Sequence, residues 1–343
     1  MCSISAITES TLLSSHLYHA CLNRFYTSFL FAISQQQQIL IIEQLGTPKT
    51  ALEKSAKQLN LDYKIIWQES EATKEKVAVL VMVKQKLNKD YLQQFPNLKM
   101  IAVAFTGYDA VDMNYCQEQG IAIYNVPSYS TNSVVELAIG LTIAVLRNIC
   151  IGNTTIRNQG WALKPGIELH GKTVGILGTG EIGIATAKVF KALGCKIVGW
   201  SRSQKEEFKT LGGEYIENKQ EFFATADIIS VHLPLNKQTS GLVGKKEFAA
   251  MKETAILINT ARGPIVDETE LIAALEQNKI AGAGIDVYEQ EPISHDNGLL
   301  QLHNVVLTPH VAFKTEEALI RRMEITVKNI ADFANGKKDN RVD

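Results

Sequence analysis

The chain has 343 residues, 45% of them hydrophobic, with 35 basic against 36 acidic side chains and a formal net charge of -1. That is enough chain for two ordinary domains with sizeable cores, and the balanced charge excludes the field expected of a nucleic-acid or membrane-surface binder. The five cysteines, Cys2, Cys21, Cys116, Cys150 and Cys195, show neither a CxxC pair nor metal-ligand spacing; no metal site is expected, and scattered thiols suit a reduced, cytoplasmic compartment.

Residues 1–38 are rich in Ser, Leu and Gln, with one Glu, one Arg and no Lys. They lack the basic start and clean apolar centre of a secretory signal and are too interrupted to span a bilayer, so a poorly ordered extension is expected. Regular structure is expected from Ile39, where ILIIEQ reads as a buried strand. VAVLVMV (77–83), KMIAVAF (99–105) and IAIYNV (121–126) read likewise, with helix-like ALEKSAKQLN, NKDYLQQFP and DAVDMNYCQEQG between them. After Pro127, SYSTNSVVELAIGLTIAVLRNI predicts a long helix ending near Ile149, apolar over too broad a face for a surface helix; it is expected to be buried between domains or subunits.

A second alternating series runs from Thr173 to Leu307, with strand candidates TVGILG, KIVGW, DIISVHL, AILINT, AGAGIDV and NVVLTP. Strands alternating with helices argue for parallel sheets covered on both faces. The last segment, KTEEALIRRMEITVKNIADFANG, is an amphipathic helix with no partner strands of its own, expected to return to the first domain. The expected organisation is therefore α/β: a domain of 39–133 completed by 313–343, and a doubly wound domain of 134–312.

The turn GTGEIG places Gly178, Gly180 and Gly183 between a strand and a helix. Gly178 permits the tight turn, Gly180 lets the backbone approach a pyrophosphate, and Gly183 lets helix and strand pack closely. The helix start, with Glu181 and Ile182, presents N–H groups and positive partial charge to phosphates. A dinucleotide is therefore expected there. About 20 residues beyond the glycines, an acid would hydrogen-bond the adenine ribose 2′-OH. The sequence has Ser201-Arg202-Ser203 instead, with Lys205 behind. A guanidinium can grip a 2′-phosphate in bidentate fashion, which predicts NADP over NAD.

In a doubly wound sheet, ligands sit beyond the carboxyl ends of the strands. Arg262, Asp286, Glu291 and His310 fall at or just past such ends, giving a cation, two carboxylates and an imidazole along one rim. INTARGPIVDE, AGAGIDVYEQEP and NVVLTPHVAF, together with GKTVGILGTGEIG, VHLPLNKQT and NVPSYSTNSVVEL, resemble the D-isomer-specific 2-hydroxyacid dehydrogenase family from about Ile39 to about Gly336. TGYDAVD and PHVAFKTEEAL are most similar to the glycerate dehydrogenase and hydroxypyruvate or glyoxylate reductase branch.

The resemblance implies a catalytic triad of Arg262, Glu291 and His310. The chemistry explains the residue types: reducing a 2-keto acid needs a hydride to carbon and a proton to the forming alkoxide. His310 would be the general acid, Glu291 would orient and support its protonated form, and Arg262 would bind the substrate carboxylate and polarise the keto oxygen. Glu289 is the competing carboxylate; the Glu directly before Pro292 is the one the resemblance selects. It further implies that Asp286 holds the nicotinamide carboxamide, that Thr260 and Ala261 contribute backbone contacts, that Leu233 and Pro234 border the adenine, and that Thr239 reaches the nucleotide. His295 and His303 read as solvated loop residues.

In the first domain, Phe105-Thr106-Gly107-Tyr108 follows a strand, so that Gly107 can offer N–H groups to a carboxylate with Tyr108 beside it. Lys84, past the 77–83 strand, resembles a lysine of the reductase branch; Lys86 is the alternative. The resemblance implies a homodimer, a cleft between domains and a small-molecule substrate. Two other readings stay open: a nucleotide-sensing corepressor-like module, and a phosphite or formate dehydrogenase of the same fold. The missing recruitment-type tails argue against the first, and Glu rather than Gln at position 291 argues against formate.

Overall fold

The structure, a computed structural model, describes residues 37–59, 61, 63–162 and 164–343. The extension expected over 1–38 lies outside the described residues except for Gln37 and Gln38. The chain divides into two compact units, one ending at Tyr129 and resuming at Leu319–Asp343, the other Ser130–Ala318.

In unit 1 the elements are β1 (Gln38–Ile41), α1 (Lys49–Gln58), β2 (Lys64–Ile66), β3 (Val77–Met82), α2 (Lys89–Leu92), β4 (Met100–Val103), α3 (Met113–Gln119) and β5 (Ala122–Tyr124). The strands form a five-stranded sheet in the order β2-β1-β3-β4-β5, and every pair is parallel. All six residues of β3 are buried, as a central parallel strand requires. Asn88 and Asp112 cap α2 and α3 by accepting from the N–H groups of Tyr91 and Tyr115, and Gly120 closes α3 in the left-handed region at φ 68°.

Unit 2 begins with α4 (Thr131–Leu146) and α5 (Ile149–Arg157), then β6 (Thr173–Leu177), α6 (Glu181–Ala192), β7 (Lys196–Trp200), α7 (Glu206–Thr210) and β8 (Glu214–Tyr215). There follow α8 (Lys219–Thr225), β9 (Ile228–Val231), α9 (Lys245–Ala250), β10 (Ile256–Asn259), α10 (Glu268–Glu276), β11 (Gly282–Ile285) and β12 (Val305–Leu307). The seven strands lie in the order β12-β11-β10-β9-β6-β7-β8, all parallel. The chain order therefore reverses between β6 and β9, the switch point at which doubly wound sheets bind nucleotides.

Alternation along the strands builds one core on each face. Val174, Ile176, Ile197, Ile228, Ile256 and Ile258 pack with Ala138, Leu141, Ala187 and Phe190 from α4 and α6. Leu177, Ile229, Val231 and Leu257 pack on the other face with Phe222, Phe223, Phe248, Leu271 and Leu275. Burial on this scale is the main term holding the sheet, at roughly 25 cal/mol per Å² of apolar surface removed from water.

Three local features depart from the sequence reading. The helix expected to run to Ile149 stops at Leu146, because Asn148 adopts the left-handed conformation at φ 52°, and α5 leaves at 61° to α4. Asparagine tolerates that conformation better than the β-branched residues around it. The short edge strands β2 and β8 were not expected; with three and two residues, they offer no period to detect. No single helix among the described residues is long and apolar enough to cross a membrane; α4 and α5 pass that test only as a bent pair.

Helix α11 (Glu316–Ala334) carries the chain from unit 2 into unit 1. Within unit 1, Arg321 Nε donates to Tyr129 O at 2.9 Å, Asn329 Nδ2 to Asn125 O at 2.7 Å, and the buried Arg322 guanidinium donates to Leu45 O. The last residues then run antiparallel to the edge of β5, with Tyr124 opposite Arg341 and Val342 N donating to Ile123 O.

Candidate active site

Because the unit 2 sheet is wholly parallel, the carboxyl ends of β6, β7, β9, β10, β11 and β12 share one edge. Six consecutive turns there carry Gly178, Ser201, His232, Thr260, Asp286 and Thr308.

At β6 the glycine turn is built as its chemistry demands. Gly178 has φ 101°, and a Cβ on it would lie 2.8 Å from His232 O. A Cβ on Gly183 would lie 2.0 Å from Gly178 O, so only glycine lets α6 start that close to the strand. A Cβ on Gly180 would meet nothing within 4 Å. Packing thus explains the first and third glycines; the second borders open space at the helix start, where Ile182 and Gly183 present N–H groups that have no intrahelical acceptor. A pyrophosphate fits that arrangement. Glu181 opens α6, and its carboxylate accepts from Thr131 Oγ1 at 2.7 Å.

At β7, Ser201 is half-buried, and Arg202 and Lys205 are exposed, with no carboxylate between Ser201 and Lys205. Leu233 is half-buried and Pro234 exposed beside the turn. Thr239 is engaged locally: its hydroxyl donates to Pro234 O at 2.6 Å and accepts from Asn236 N at 2.9 Å. A nucleotide contact from Thr239 would compete with these bonds.

At β10, Asn259 folds the following turn back on itself. Its Nδ2 donates to Arg262 O at 3.0 Å and its Oδ1 accepts from Ala261 N at 3.0 Å. Thr260 Oγ1 is buried without a hydrogen-bond partner. A buried hydroxyl in that condition costs about 1–3 kcal/mol, a cost that a bound polar group would relieve. Arg262 extends from this turn with one guanidinium nitrogen 2.8 Å from Ala261 O. Gly263 lets the turn touch the next strand's loop, since a Cβ there would lie 2.0 Å from Tyr288 O.

That loop carries Glu291. Its Oε1 accepts from Tyr288 N at 3.3 Å, and its Oε2 lies 2.6 Å from His310 Nδ1. The backbone N–H of Glu289, the competing carboxylate, donates to the Glu268 side chain at 3.2 Å, and the carboxylate that meets the imidazole is that of Glu291. The His310 ring packs edge-on against Phe313 at 5.8 Å, and its backbone is left-handed at φ 50°. A non-glycine residue held there must be over-determined by its surroundings. Asp286 does this: fully buried, it accepts from Thr308 Oγ1 at 2.6 Å, Val311 N at 2.9 Å and Ala312 N at 2.9 Å, while its carbonyl accepts from His310 N at 2.8 Å. The residue expected to hold a nicotinamide carboxamide thus already organises the histidine loop, and such a contact would use whatever acceptor capacity these bonds leave.

The structure brings His310 and Glu291 into contact and delivers Arg262 to the same sheet edge. In unit 1, described by itself, Lys84, Gly107 and Tyr108 also lie past strand ends. Glu43, which the sequence reading passed over, holds the Lys84 turn: its Oε2 accepts from the N–H groups of Val83, Lys84 and Gln85, each at 2.7 Å. An acid just after the apolar run ILII was the available signal. Lys84 Nζ lies 5.8 Å from the centroid of the Phe105 ring. Thr106 Oγ1 donates to Val126 O at 2.9 Å and Asn125 Nδ2 to Thr106 O at 2.8 Å, which fix the backbone at Gly107; Tyr108 is exposed.

His232 was also passed over. It sits beneath the glycine turn with Nε2 2.8 Å from Ser230 Oγ, and burial pushes its imidazole down to about 4, so it is neutral at ordinary pH. Among the described residues, no group of three or more His, Cys, Asp or Glu side chains is placed to hold a metal ion.

Comparison with known proteins identifies the family. Residues 139–312 match the model of the D-isomer specific 2-hydroxyacid dehydrogenase NAD binding domain. The chain is 39% identical to the glyoxylate reductase of Thermococcus litoralis, covering 78% of this chain and 83% of that protein. It is 35% identical to the hydroxypyruvate reductase of Blautia hydrogenotrophica, covering 75% and 82%. The crystal structure of D-lactate dehydrogenase from Aquifex aeolicus, complexed with NAD and lactic acid, superposes with a TM-score of 0.79 at 28% identity, covering 89% of this chain and 99% of that one. The chain belongs to the D-isomer specific 2-hydroxyacid dehydrogenase family, NAD(P)-dependent oxidoreductases that move a hydride between the cofactor and a 2-keto or 2-hydroxy acid.

Proposed function

We propose that this protein reduces a small, polar 2-keto acid, glyoxylate or hydroxypyruvate, to the 2-hydroxy acid, and that it prefers NADPH to NADH. Relatives at 39% and 35% identity bear the names of those two reductases. The observation that carries the reading is the 2.6 Å contact between His310 Nδ1 and Glu291 Oε2 on the rim that also holds Arg262.

The bound nicotinamide supplies the hydride. Glu291 accepts from His310 Nδ1–H, which leaves Nε2 as the nitrogen that hands a proton to the developing alkoxide and takes it back in the reverse direction. Arg262 pairs with the substrate carboxylate and draws negative charge toward the keto oxygen. Lys84 and the amides around Gly107, beside Tyr108, offer further anion contacts. Unit 1 is accordingly assigned as the substrate domain and unit 2 as the nucleotide domain. Asp286, Thr260 and Ala261 take the nicotinamide end, Gly178 to Gly183 the pyrophosphate, and Leu233 and Pro234 the adenine. Arg202, exposed and unopposed by an acid within its turn, supports a 2′-phosphate ligand.

The same reading makes the enzyme a cytoplasmic homodimer. Cys116, Cys150 and Cys195 are free thiols. On unit 2, Ile149, Ile151, Ile156 and Trp161 are exposed, Trp161 at 89%; an apolar surface of that kind favours a second copy. The dimer support thus falls on α5 and the residues after it rather than on the buried face of α4.

The test is a panel of small 2-keto acids, including glyoxylate, hydroxypyruvate, pyruvate and 3-phosphohydroxypyruvate, each with NADPH and NADH and followed by cofactor absorbance. Highest kcat/KM is expected for glyoxylate or hydroxypyruvate with NADPH. A preference for a phosphorylated or bulky keto acid, or for NADH, would refute the corresponding half of the proposal.

A further inference from the structure

The loop that carries Arg202 and the glycine turn come from different strands, β7 and β6, yet a single side chain fastens one to the other. Tyr215, on the two-residue edge strand β8, donates its hydroxyl to Thr179 Oγ1 at 2.7 Å and accepts from Lys205 N–H at 2.9 Å. Thr179 is the buried residue between Gly178 and Gly180; Lys205 ends the Ser201–Lys205 loop. The phenol oxygen therefore bridges the segment expected to hold the pyrophosphate and the segment expected to reach the adenine ribose.

The bridge is held from below. Gly199 of β7 pairs with Tyr215 in the sheet. The Tyr215 ring packs at 5.0 Å on Phe208, which is fully buried. Phe208 fits there only because both neighbours are glycines: a Cβ on Gly199 or Gly213 would lie 2.8 or 2.4 Å from its ring. Next door, Trp200 Nε1 donates to Glu217 O at 3.2 Å, tying the start of the loop to the residues after β8. The phenol is thus at a fixed height, and the loop's far end is pinned through its backbone rather than through a charged side chain.

We infer that Tyr215 is a positioning residue for cofactor selectivity: by bridging Thr179 and Lys205 it fixes the Arg202 loop at the distance from the pyrophosphate turn that a 2′-phosphate requires. The inference rests on the reading of Arg202 as the 2′-phosphate ligand. A guanidinium–phosphate pair is directional and loses strength when its loop can drift, whereas a bare 2′-OH makes no such demand. The bridge therefore favours NADPH more than NADH.

The experiment compares kcat/KM for NADPH and NADH, with the same keto acid, in the wild type, Tyr215→Phe, Thr179→Val and Thr179→Ser. Tyr215→Phe keeps the ring on Phe208 and removes only the bridge. It is expected to lower the NADPH-to-NADH ratio about three- to tenfold, the worth of one hydrogen bond, through KM for NADPH rather than kcat. Thr179→Val is expected to lower the ratio in the same direction from the other end of the bond, and Thr179→Ser, which retains the acceptor oxygen, to restore it. An unchanged ratio in Tyr215→Phe, or equal losses with both cofactors, overturns the inference; if Tyr215→Phe does not fold, the contrast between the valine and serine variants decides in the same way. Failure of the underlying cofactor reading is seen separately, as a wild-type ratio below one.

Discussion

His310 Nδ1 lies 2.6 Å from Glu291 Oε2 although 19 residues separate them, and other groups fix both loops. Asp286 clamps the histidine loop with its carboxylate, and Tyr288 N anchors the other oxygen of Glu291. His310→Asn is therefore expected to lower kcat by about 10²–10⁴-fold, the usual contribution of a positioned acid or base, while the dissociation constant for NADPH stays within about twofold. Glu291→Gln, which can still hold the ring but withdraws the negative charge behind it, should fall between that variant and the wild type. Steady-state turnover and cofactor titration by fluorescence check both; near-normal turnover in His310→Asn would remove it from the mechanism.

The glycine turn allows a sharper separation of packing from binding. A methyl group on Gly183 would collide with Gly178 O at 2.0 Å, backbone against backbone with nothing flexible to yield. Gly183→Ala should destabilise the protein by about 3 kcal/mol or more, roughly 6–10 °C in Tm. Gly180→Ala meets no protein atom within 4 Å and should melt close to the wild type, yet bind NADPH at least about tenfold more weakly, because the methyl occupies the approach to the phosphates. Calorimetry paired with cofactor titration distinguishes them. Unimpaired cofactor binding in Gly180→Ala would show that the pyrophosphate does not cross this turn.

In unit 1, Glu43 gathers the N–H groups of Val83, Lys84 and Gln85 on one oxygen. Glu43→Gln retains an acceptor and loses the charge, so a loss of about 1–2 kcal/mol of stability is expected, charge-assisted bonds being worth roughly twice neutral ones. Since Lys84 rides on that loop, KM for the keto acid should rise several-fold with kcat less affected. A KM that does not move would detach Lys84 from substrate binding.

Acid should expose His232. Its ring is pushed by burial from 6.5 to about 4, so between those values the unfolded chain binds a proton that the folded chain resists. Stability is thus expected to fall as pH drops through that window, by up to about 1.4 kcal/mol per pH unit from this one group. Asp227, Glu247 and Asp343 are held below their ordinary values of 3.8, 4.5 and 3.8 by bonds to Lys252, Lys219 and Arg341, among others, so their losses begin near those values and continue to lower pH. His232→Gln should flatten the upper part of the urea-denaturation profile between pH 6.5 and about 4. A profile of unchanged slope would mean that the imidazole is hydrated in the folded state.

The amino-acid order alone determined a good deal here. Parallel α/β architecture followed from apolar runs alternating with helical periods, because buried parallel strands need side chains that are apolar on both faces. The glycine turn was legible because its spacing answers a steric demand within a dozen residues, and the resemblance picked Glu291 over Glu289. Only the tertiary structure decided what depends on meetings between distant segments. It joined His310 to Glu291, turned Asp286 toward the histidine loop, and put Glu43 under the Lys84 amides. It also set Tyr215 between Thr179 and Lys205, from a strand of two residues that has no period to read. A hydrogen bond is specific over a few tenths of an ångström, whereas hydrophobic patterning constrains only which face is buried. Patterning therefore reaches the sheet and its edge, and the positions of charges along that edge come from the fold.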